Sequence, residues 1–278
     1  MHKGGHRPRY VRVQDPPCPA TLDNRPSYGP IRPESGPKGA REKVLRKLRE
    51  WLKLMACSFT VRIRGGPLEG MRWVATSGTS FIRGSYESFK TEAYQRYVEA
   101  GDVVYDIGGH VGYYAVVASV LAGERGKVFT FEPRPLNIAY IEKHISVNGL
   151  TNIEVIEAAV SDCSGSAKFE SRTGTGTGRL SVGGDPEVTT LVLDDLIDGS
   201  RYPAPDFLKI DIEGGEVGAL RGVERSISSY RPKLLVATHG DEEHRFVLGF
   251  LERHNYDFEV LNEDGPRGDT EILAIPRI

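Results

Sequence analysis

One stretch of the chain constrains the fold more than any other. An apolar, β-branched run that starts at Val103 ends in Asp106, and glycines follow at positions 108, 109 and 112. A second apolar run from Tyr113 to Ala122 has the length and composition of a buried helix. The pattern therefore predicts a strand, a tight glycine turn and a helix. Glycines let such a turn approach a ligand closely, and the helix behind it offers unpaired N–H groups.

Two cofactor classes use a turn of this kind. A dinucleotide site requires Gly-x-Gly-x-x-Gly, and a histidine stands here where the second glycine would be. The remaining pattern, Asp-x-Gly-x-x-x-Gly, resembles motif I of the S-adenosylmethionine-dependent methyltransferases, in which an acid suits the cationic methionine end of the cofactor. An ordinary turn without a ligand is the alternative at this point. The resemblance assigns five residues to cofactor binding: Asp106, Gly108, Gly109, His110 and Gly112.

The next predicted strand supports a cofactor site. It lies within Lys127 to Pro133 and ends in the acid Glu132. An acid about 20 residues beyond a glycine turn stands where a ribose-binding carboxylate is expected. Glu132 can accept hydrogen bonds from both hydroxyls of a ribose. A solvated glutamate at a strand end is the alternative, but the preceding motif favours ribose binding.

Composition excludes several classes of protein. The 278 residues suffice for one large domain with an extension, and the formal charge of −2 gives no general attraction to nucleic acid or anionic membranes. Cys18, Cys57 and Cys163 are widely separated, so we expect neither a disulfide framework nor a metal cluster, and a reducing compartment is favoured. The sequence shows no apolar run of membrane-spanning length and no apolar signal-peptide core at its N-terminus. We therefore expect a cytoplasmic protein.

The first hundred residues precede the glycine turn and divide into two parts. Residues 1–40 are rich in Pro, Gly and Arg, which predicts a disordered basic arm. Residues 41–100 are expected to form a helix, a hairpin and an entry segment ahead of the main domain, residues 101–278. The helix, over 41–57, is amphipathic and basic on its outer face, so it either packs on the domain or makes peripheral contact with a membrane.

The entry segment leads into the first core strand. The hairpin pairs residues 59–64 with 71–75, and a helix is predicted over 91–100. Between them lie Tyr86 and Glu87, which we expect to line the cofactor site because of their position. Packing for the tyrosine and a helix-start role for the acid are the alternatives.

The second half of the chain continues to alternate strands with helices. The Thr-Gly repeat at 173–178 is predicted to be a loop rather than a phosphate site, since no Gly-Lys-Ser/Thr follows it. Asp162, at the end of the third strand, stands where an adenine amino group would need an acceptor, although an aspartate there also suits a turn. The predicted elements are helices over 135–147, 216–230 and 242–254, strands over 153–160, 167–171, 188–193, 208–212 and 234–239, and a terminal antiparallel hairpin of 257–261 and 271–275.

Candidate catalytic residues follow two of these strands. Asp211 and Glu213 lie near the end of one, and His239 ends the next. Ligands of open parallel sheets bind beyond the carboxyl ends of strands, so Asp211 is also a candidate cofactor-binding residue. One of the two acids could instead cap the following helix. The intrinsic pKa of histidine makes His239 the candidate general base, with Asp211 orienting it, receiving its proton or holding the acceptor. The same three residues could bind a divalent metal, but the sequence contains no dense ligand cluster, and metal-free chemistry is favoured.

With these stretches in place, residues from about 65 to 276 resemble the FkbM family of methyltransferases. The most specific motifs are Phe131-Glu132-Pro133 and the run from Lys209 to Glu216. The family usually has Ala-Asn where Gly109-His110 stand here. Further matching stretches are Gly84-Ser85-Tyr86-Glu87, the Asp106 to Gly112 turn, Asn137 with Asn148, and Thr190 to Asp195.

This resemblance implies an α/β, Rossmann-like class I methyltransferase fold. Its sheet would have seven mostly parallel strands, helices on both faces and an antiparallel last strand. It adds Asn137 to the cofactor-binding residues and implies O-methylation of a hydroxyl on a sugar, glycan or polyketide. Two alternatives stay open. A nucleic-acid methyltransferase would need a basic face with stacking aromatics, and a non-catalytic protein would bind the cofactor or a partner only.

Overall fold

The computed structural model describes residues 59–171, 178–180, 187–262 and 269–277. The predicted basic arm, the amphipathic helix over 41–57 and its proposed membrane contact lie outside the described residues. So do residues 173–177 of the Thr-Gly repeat and most of the coil between the last two strands.

The described strands form a two-stranded, a seven-stranded and a four-stranded sheet. They are β1 (Thr60–Arg62), β2 (Arg72–Val74), β3 (Val103–Ile107), β4 (Lys127–Phe131), β5 (Ile153–Ile156), β6 (Ala159–Val160), β7 (Gly165–Ser171), β8 (Gly178–Leu180), β9 (Glu187–Leu191), β10 (Phe207–Ile210), β11 (Lys233–His239), β12 (Tyr256–Val260) and β13 (Asp269–Pro276).

Helices alternate with strands along much of the described chain. They are α1 (Thr79–Arg83), α2 (Ser88–Tyr97), α3 (Tyr113–Ala122), α4 (Pro135–Asn148), α5 (Leu193–Asp198), α6 (Glu216–Arg221), α7 (Glu224–Tyr230) and α8 (Asp241–Arg253).

The seven-stranded sheet organises the domain. Its strand order is β12-β13-β11-β10-β3-β4-β5. Neighbouring strands from β11 to β5 pair in parallel, whereas β13 runs antiparallel to both β11 and β12. This is the predicted Rossmann-like class I sheet with its reversed last strand. The carboxyl ends of β3, β4, β10 and β11 therefore meet at one edge.

Two apolar cores cover the two faces of this sheet. In β3, Val104 belongs to one core, and Tyr105 and Ile107 belong to the other. The predicted hairpin is present as β1 and β2, and Trp73 in β2 joins the first core. Alternation along buried strands thus places apolar side chains on both faces, as expected for a parallel sheet covered by helices.

A polar contact fixes the hairpin to α4. The ring of His144 stacks on Trp73 with centroids 3.5 Å apart. His144 Nε2 accepts the Val74 N–H at 3.0 Å, and Asn148 bonds both backbone groups of Arg72. Asn148, which the resemblance singled out, therefore has a structural role here.

Several predicted element bounds are wrong, each for a local reason. The strand predicted over 153–160 turns at residues 157–158, and its last two residues pair with β9 in the four-stranded sheet. The strands predicted over 167–171 and 188–193 also belong to that sheet, as β7 and β9. The helix predicted over 216–230 is interrupted at Gly222, where a Cβ would lie 2.1 Å from the Ser161 carbonyl oxygen. The helix predicted over 91–100 begins at Ser88 and ends at Tyr97, because Val98 is extended.

Cys163 is disulfide-bonded, whereas the sequence predicted that the cysteines form no disulfide framework. Wide spacing in the sequence does not prevent a bridge, because folding brings distant residues together. A reducing compartment therefore no longer follows from the cysteines of this chain. Separately, no helix within the described ranges is both long and apolar enough to cross a membrane.

Candidate active site

The glycine turn packs between the carboxyl ends of β4 and β10. The N–H groups of Gly108 and Gly109 both donate to the Phe131 carbonyl at 3.0 Å. Gly108 has a φ of 85°, and a Cβ there would lie 2.0 Å from the Asp211 carbonyl oxygen. Gly112, with a φ of 89°, is the N-cap residue that immediately precedes α3. Only glycine therefore fits at position 108, for both its conformation and the close backbone approach.

His110 lies within this turn in a left-handed conformation, with a φ of 49°. Its Nε2 is buried and has no hydrogen-bond partner among the described residues. Burial and the charge of Lys209 lower the pKa of His110 to about 4. The ring is therefore neutral at physiological pH and presents an unused polar atom, an arrangement typical of sites that a ligand completes.

Glu132 lies at the end of β4, against the glycine turn, and is buried. Its Oε2 accepts the His110 N–H at 2.8 Å, and its Oε1 accepts the Arg134 N–H at 2.9 Å. Burial raises the pKa of Glu132 to about 7, although both N–H groups oppose the shift. The turn and the second-strand acid are thus in direct contact, as a common ligand would require. Asn137, on the first turn of α4, is also buried nearby and adds its own side-chain hydrogen bond to Glu132.

Asp106 is fully buried in an ion pair. Its Oδ1 lies 2.9 Å from Lys209 Nζ, and its Oδ2 accepts from Thr130 at 3.2 Å. Lys209 also donates to the Gly108 carbonyl at 3.0 Å. The acid thus fixes the turn through Lys209, and its predicted contact with the cofactor stays a prediction.

A second buried lysine connects three distant parts of the chain. Lys90 Nζ lies 2.8 Å from Asp211, 2.6 Å from Glu271 and 3.1 Å from Glu87. We call these four residues the Lys90 cluster. Burial alone would lower the pKa of Lys90, but the three acids together raise it well above its usual value. Glu87 also accepts from the Tyr114 hydroxyl at 2.8 Å, which places the predicted entry-segment acid beside α3.

Asp211 and His239 lie together at the ends of β10 and β11. Asp211 Oδ1 is 3.7 Å from His239 Nε2. Burial alone would raise the pKa of Asp211, but the charges of Lys90 and Lys209 hold it well below its usual range. Asp211 is therefore ionised and a poor proton acceptor. Of its three predicted roles, orienting the imidazole and holding the acceptor fit this state.

His239 is held from its other side by Glu216. Its Nδ1 lies 2.7 Å from Glu216 Oε1. Burial alone would lower the pKa of His239, but Glu216, Asp211 and Glu213 together raise it to about 9. The imidazole is therefore protonated at neutral pH in the ligand-free protein, so it must lose this proton before it can act as a base.

The other predicted site residues occupy more peripheral positions. Glu213 has a left-handed backbone, with a φ of 55°, in the turn before α6. Tyr86 packs against Phe81 and Tyr113, which favours the packing alternative for its side chain. Asp162 is half exposed, and its described ion pair is with Arg221 on α6, at 3.7 Å.

Sequence reasoning missed Lys90, Glu271 and the role of Glu216. A lysine on an amphipathic helix is usually solvated, so nothing in the local pattern marked Lys90. Lys209 did carry a signal, because a charge inside an apolar strand needs a partner when buried. Among the described residues, no group of three or more His, Cys, Asp or Glu side chains is arranged to hold a metal ion.

The fold and the site together define a class of protein. It is a Rossmann-like domain in which the glycine turn, Glu132, Asp211 and His239 lie at one edge of the sheet. The model for the methyltransferase FkbM domain matches residues 106–258. This is more than half of the chain, and the chain belongs to that family. Family membership confirms the predicted methyltransferase class, with S-adenosylmethionine as the cofactor.

Three individual relatives share less than a third of their aligned residues with this chain. Hexuronic acid methyltransferase AglP of Haloferax volcanii is 27% identical over 170 residues, which cover 60% of this chain and 69% of AglP. The crystal structure of methyltransferase FkbM from Methylobacillus flagellatus is 18% identical with a TM-score of 0.46, and the match covers 84% of this chain and 60% of that chain. Aeropyrum pernix fibrillarin, solved with S-adenosylmethionine, is 16% identical with a TM-score of 0.43, over 64% of this chain and 68% of that one.

Proposed function

We propose that the protein transfers a methyl group from S-adenosylmethionine to a hydroxyl of a sugar, glycan or polyketide-type acceptor. The observation that carries the proposal is His239, held between Glu216 and Asp211 at the same sheet edge as the glycine turn. An alcohol is a weak nucleophile, and a positioned base contributes about 10²–10⁴-fold to such a reaction. The sugar class is supported by the relative AglP, whose name specifies a hexuronic acid.

The residues of the glycine turn fit this cofactor. Glu132 offers a carboxylate for the ribose diol, and the neutral His110 Nε2 is a buried polar atom without a partner among the described residues. Gly108 and Gly112 allow the backbone to approach, and Asp106 fixes the turn through Lys209. We keep Asn137, Glu87, Tyr86, Gly109 and Asp162 as candidate cofactor-binding residues.

When bound, the cofactor supplies a methyl group on a sulfonium, and the sulfur keeps the electron pair of the broken C–S bond. The protein's part is to hold the acceptor oxygen in line and to remove its proton. Holding two reactants in a near-attack geometry is worth about 7–11 kcal/mol at most. His239 Nε2 takes the hydroxyl proton, and the ionised Asp211 orients the imidazole or the acceptor.

A pH profile tests this assignment. The base form of His239 is scarce at neutral pH because Glu216 and Asp211 raise its pKa to about 9. We therefore expect kcat/KM to rise about tenfold per pH unit from pH 7 and to level off near pH 9, since this parameter reports the free enzyme. The measurement is transfer of radiolabelled methyl to a panel of neutral hexosides, hexuronides and polyketide alcohols.

The matched variant is H239Q, which keeps a polar side chain without a titrating group. It should lose about 10²-fold or more of turnover, and any residual rate should lose the alkaline rise. Turnover of H239Q within a few fold of wild type would remove His239 from the mechanism. Failure of every hydroxylated acceptor would remove O-methylation itself.

A further inference from the structure

A buried carboxylate contacts His239 on the side of the ring opposite Asp211. Glu216, the first residue of α6, has no exposed surface. Its Oε1 accepts the Gly214 N–H at 3.1 Å and lies 2.7 Å from His239 Nδ1. Since this oxygen acts as an acceptor toward Gly214, the shorter contact is satisfied when Nδ1 carries the proton and donates it.

The second nitrogen of the same ring faces a different acid. His239 Nε2 lies 3.7 Å from Asp211 Oδ1, which is beyond hydrogen-bond range. Asp211 Oδ2 is already bonded to Lys90 at 2.8 Å, so that carboxylate is not free to turn toward the ring. Nε2 therefore faces Asp211 without bonding to it, and it takes part in no hydrogen bond among the described residues.

We propose that Glu216 is a positioning residue for His239. It holds the proton on Nδ1, so that Nε2 is the nitrogen that receives the proton of the acceptor hydroxyl. The O–H bond breaks as the oxygen forms its bond to the methyl carbon, and the proton passes to Nε2. This inference rests on the proposed function, in which His239 is the base.

A carboxylate beside Nδ1 is needed because it decides which tautomer of His239 is present. An imidazole has two tautomers, and the hydrogen bond at one nitrogen decides which one is present. Without an acceptor at Nδ1, the proton can reside on Nε2, and the nitrogen at the sheet edge then cannot accept another. The remaining acids that act on the ring, Asp211 and Glu213, lie beyond the end of β10, with Lys90 behind Asp211.

The test compares E216Q with a matched Glu–His pair elsewhere on the chain. Glu224 on α7 contacts His254 Nε2 at 2.9 Å, so E224Q removes the same kind of carboxylate away from the site. Nitrogen NMR of histidine-labelled, ligand-free protein reports the tautomer and pKa of His239 without any acceptor. Methyl transfer across pH, with the acceptor found in the panel above, reports its catalytic competence.

In wild type we expect a protonated Nδ1 and a free Nε2 as the ring titrates. In E216Q the pKa of His239 should fall by about one unit or more. Compared above pH 9, where the ring is neutral in both proteins, kcat should fall about 10²-fold with a smaller change in KM. E216D keeps the charge and should recover part of the loss, and E224Q should match wild type. Calorimetry with S-adenosylmethionine confirms that each variant is folded.

Two results separate this inference from the function on which it rests. If H239Q loses turnover while E216Q keeps the wild-type tautomer, pKa and rate, the positioning role is overturned and the proposed base stands. If the wild type transfers methyl groups and H239Q does so equally well, the base assignment fails first and the role of Glu216 fails with it.

Discussion

The burial of Glu132 opposes the charge that its proposed role requires. A ribose diol needs an ionised carboxylate as acceptor, but burial raises the pKa of this carboxylate to about 7. The ionised fraction of a group with that pKa falls about tenfold between pH 8 and pH 6. We therefore expect the Kd for S-adenosylmethionine to rise up to about tenfold over this range, measured by titration calorimetry.

The control for this prediction is E132Q, which should bind weakly at both pH values. The cofactor's own amino group titrates near the upper end of the range, and the ratio of wild type to variant removes that contribution. A wild-type affinity that stays constant relative to E132Q from pH 8 to pH 6 would contradict the role of the ionised carboxylate.

Individual site residues differed in how well the sequence predicted them. Motifs in the sequence marked Gly108 and Glu132, and in the fold the glycine turn contacts Glu132 because adjacent parallel strands bring their carboxyl ends together. Their contacts with a ligand stay predictions. The protonation state of His239 could not be predicted, since it depends on Glu216, which is distant in sequence and reaches the ring only in the folded protein.

At the scale of elements, the Lys90 cluster joins α2 to the end of β10 and to β13. Lys90 is 2% exposed and is the cation that three carboxylates share. Removing one partner from a buried ionic cluster costs about 3–5 kcal/mol, because the remaining charges lose their compensation. We expect K90M to lose about this much free energy of unfolding, measured with urea at pH 7.5.

The double variant K90M/E271Q should recover part of the loss. Burial raises the pKa of Glu271 to about 7, and its Oε2 is buried without a hydrogen-bond partner among the described residues. An amide there removes one uncompensated charge. The surface pair of Arg277 and Asp257 is the comparison, and R277Q should cost less than about 1 kcal/mol. A K90M variant as stable as R277Q would show that the cluster does not hold these elements together.

Element types were more predictable than element bounds. Hydrophobic periodicity located the core strands and helices, but it cannot detect tertiary contacts that end an element early. The predicted helix is interrupted at Gly222, where the Ser161 carbonyl leaves no room for a Cβ. Ala159–Val160 leaves the main sheet to pair with β9. The four-stranded sheet was not predicted, since its strands are short and pair across long stretches of sequence.

For the whole molecule, the seven-stranded sheet was predicted through the family resemblance and is confirmed. Strand order positions four carboxyl ends side by side, and this arrangement brings the glycine turn, Glu132, Asp211 and His239 to one edge. The acceptor is the least predictable part, because its recognition depends on side chains that no motif specifies.

The central claim is that this edge binds S-adenosylmethionine through the glycine turn and Glu132. Its most direct test is titration calorimetry of the full chain with S-adenosylmethionine, S-adenosylhomocysteine and NAD, repeated on E132A. We expect the first two to bind and NAD not to bind, with the affinity of E132A reduced about tenfold or more, since a charged hydrogen bond contributes about 1.5–3 kcal/mol. Binding of NAD alone, or no binding of either adenosyl compound, would contradict the account.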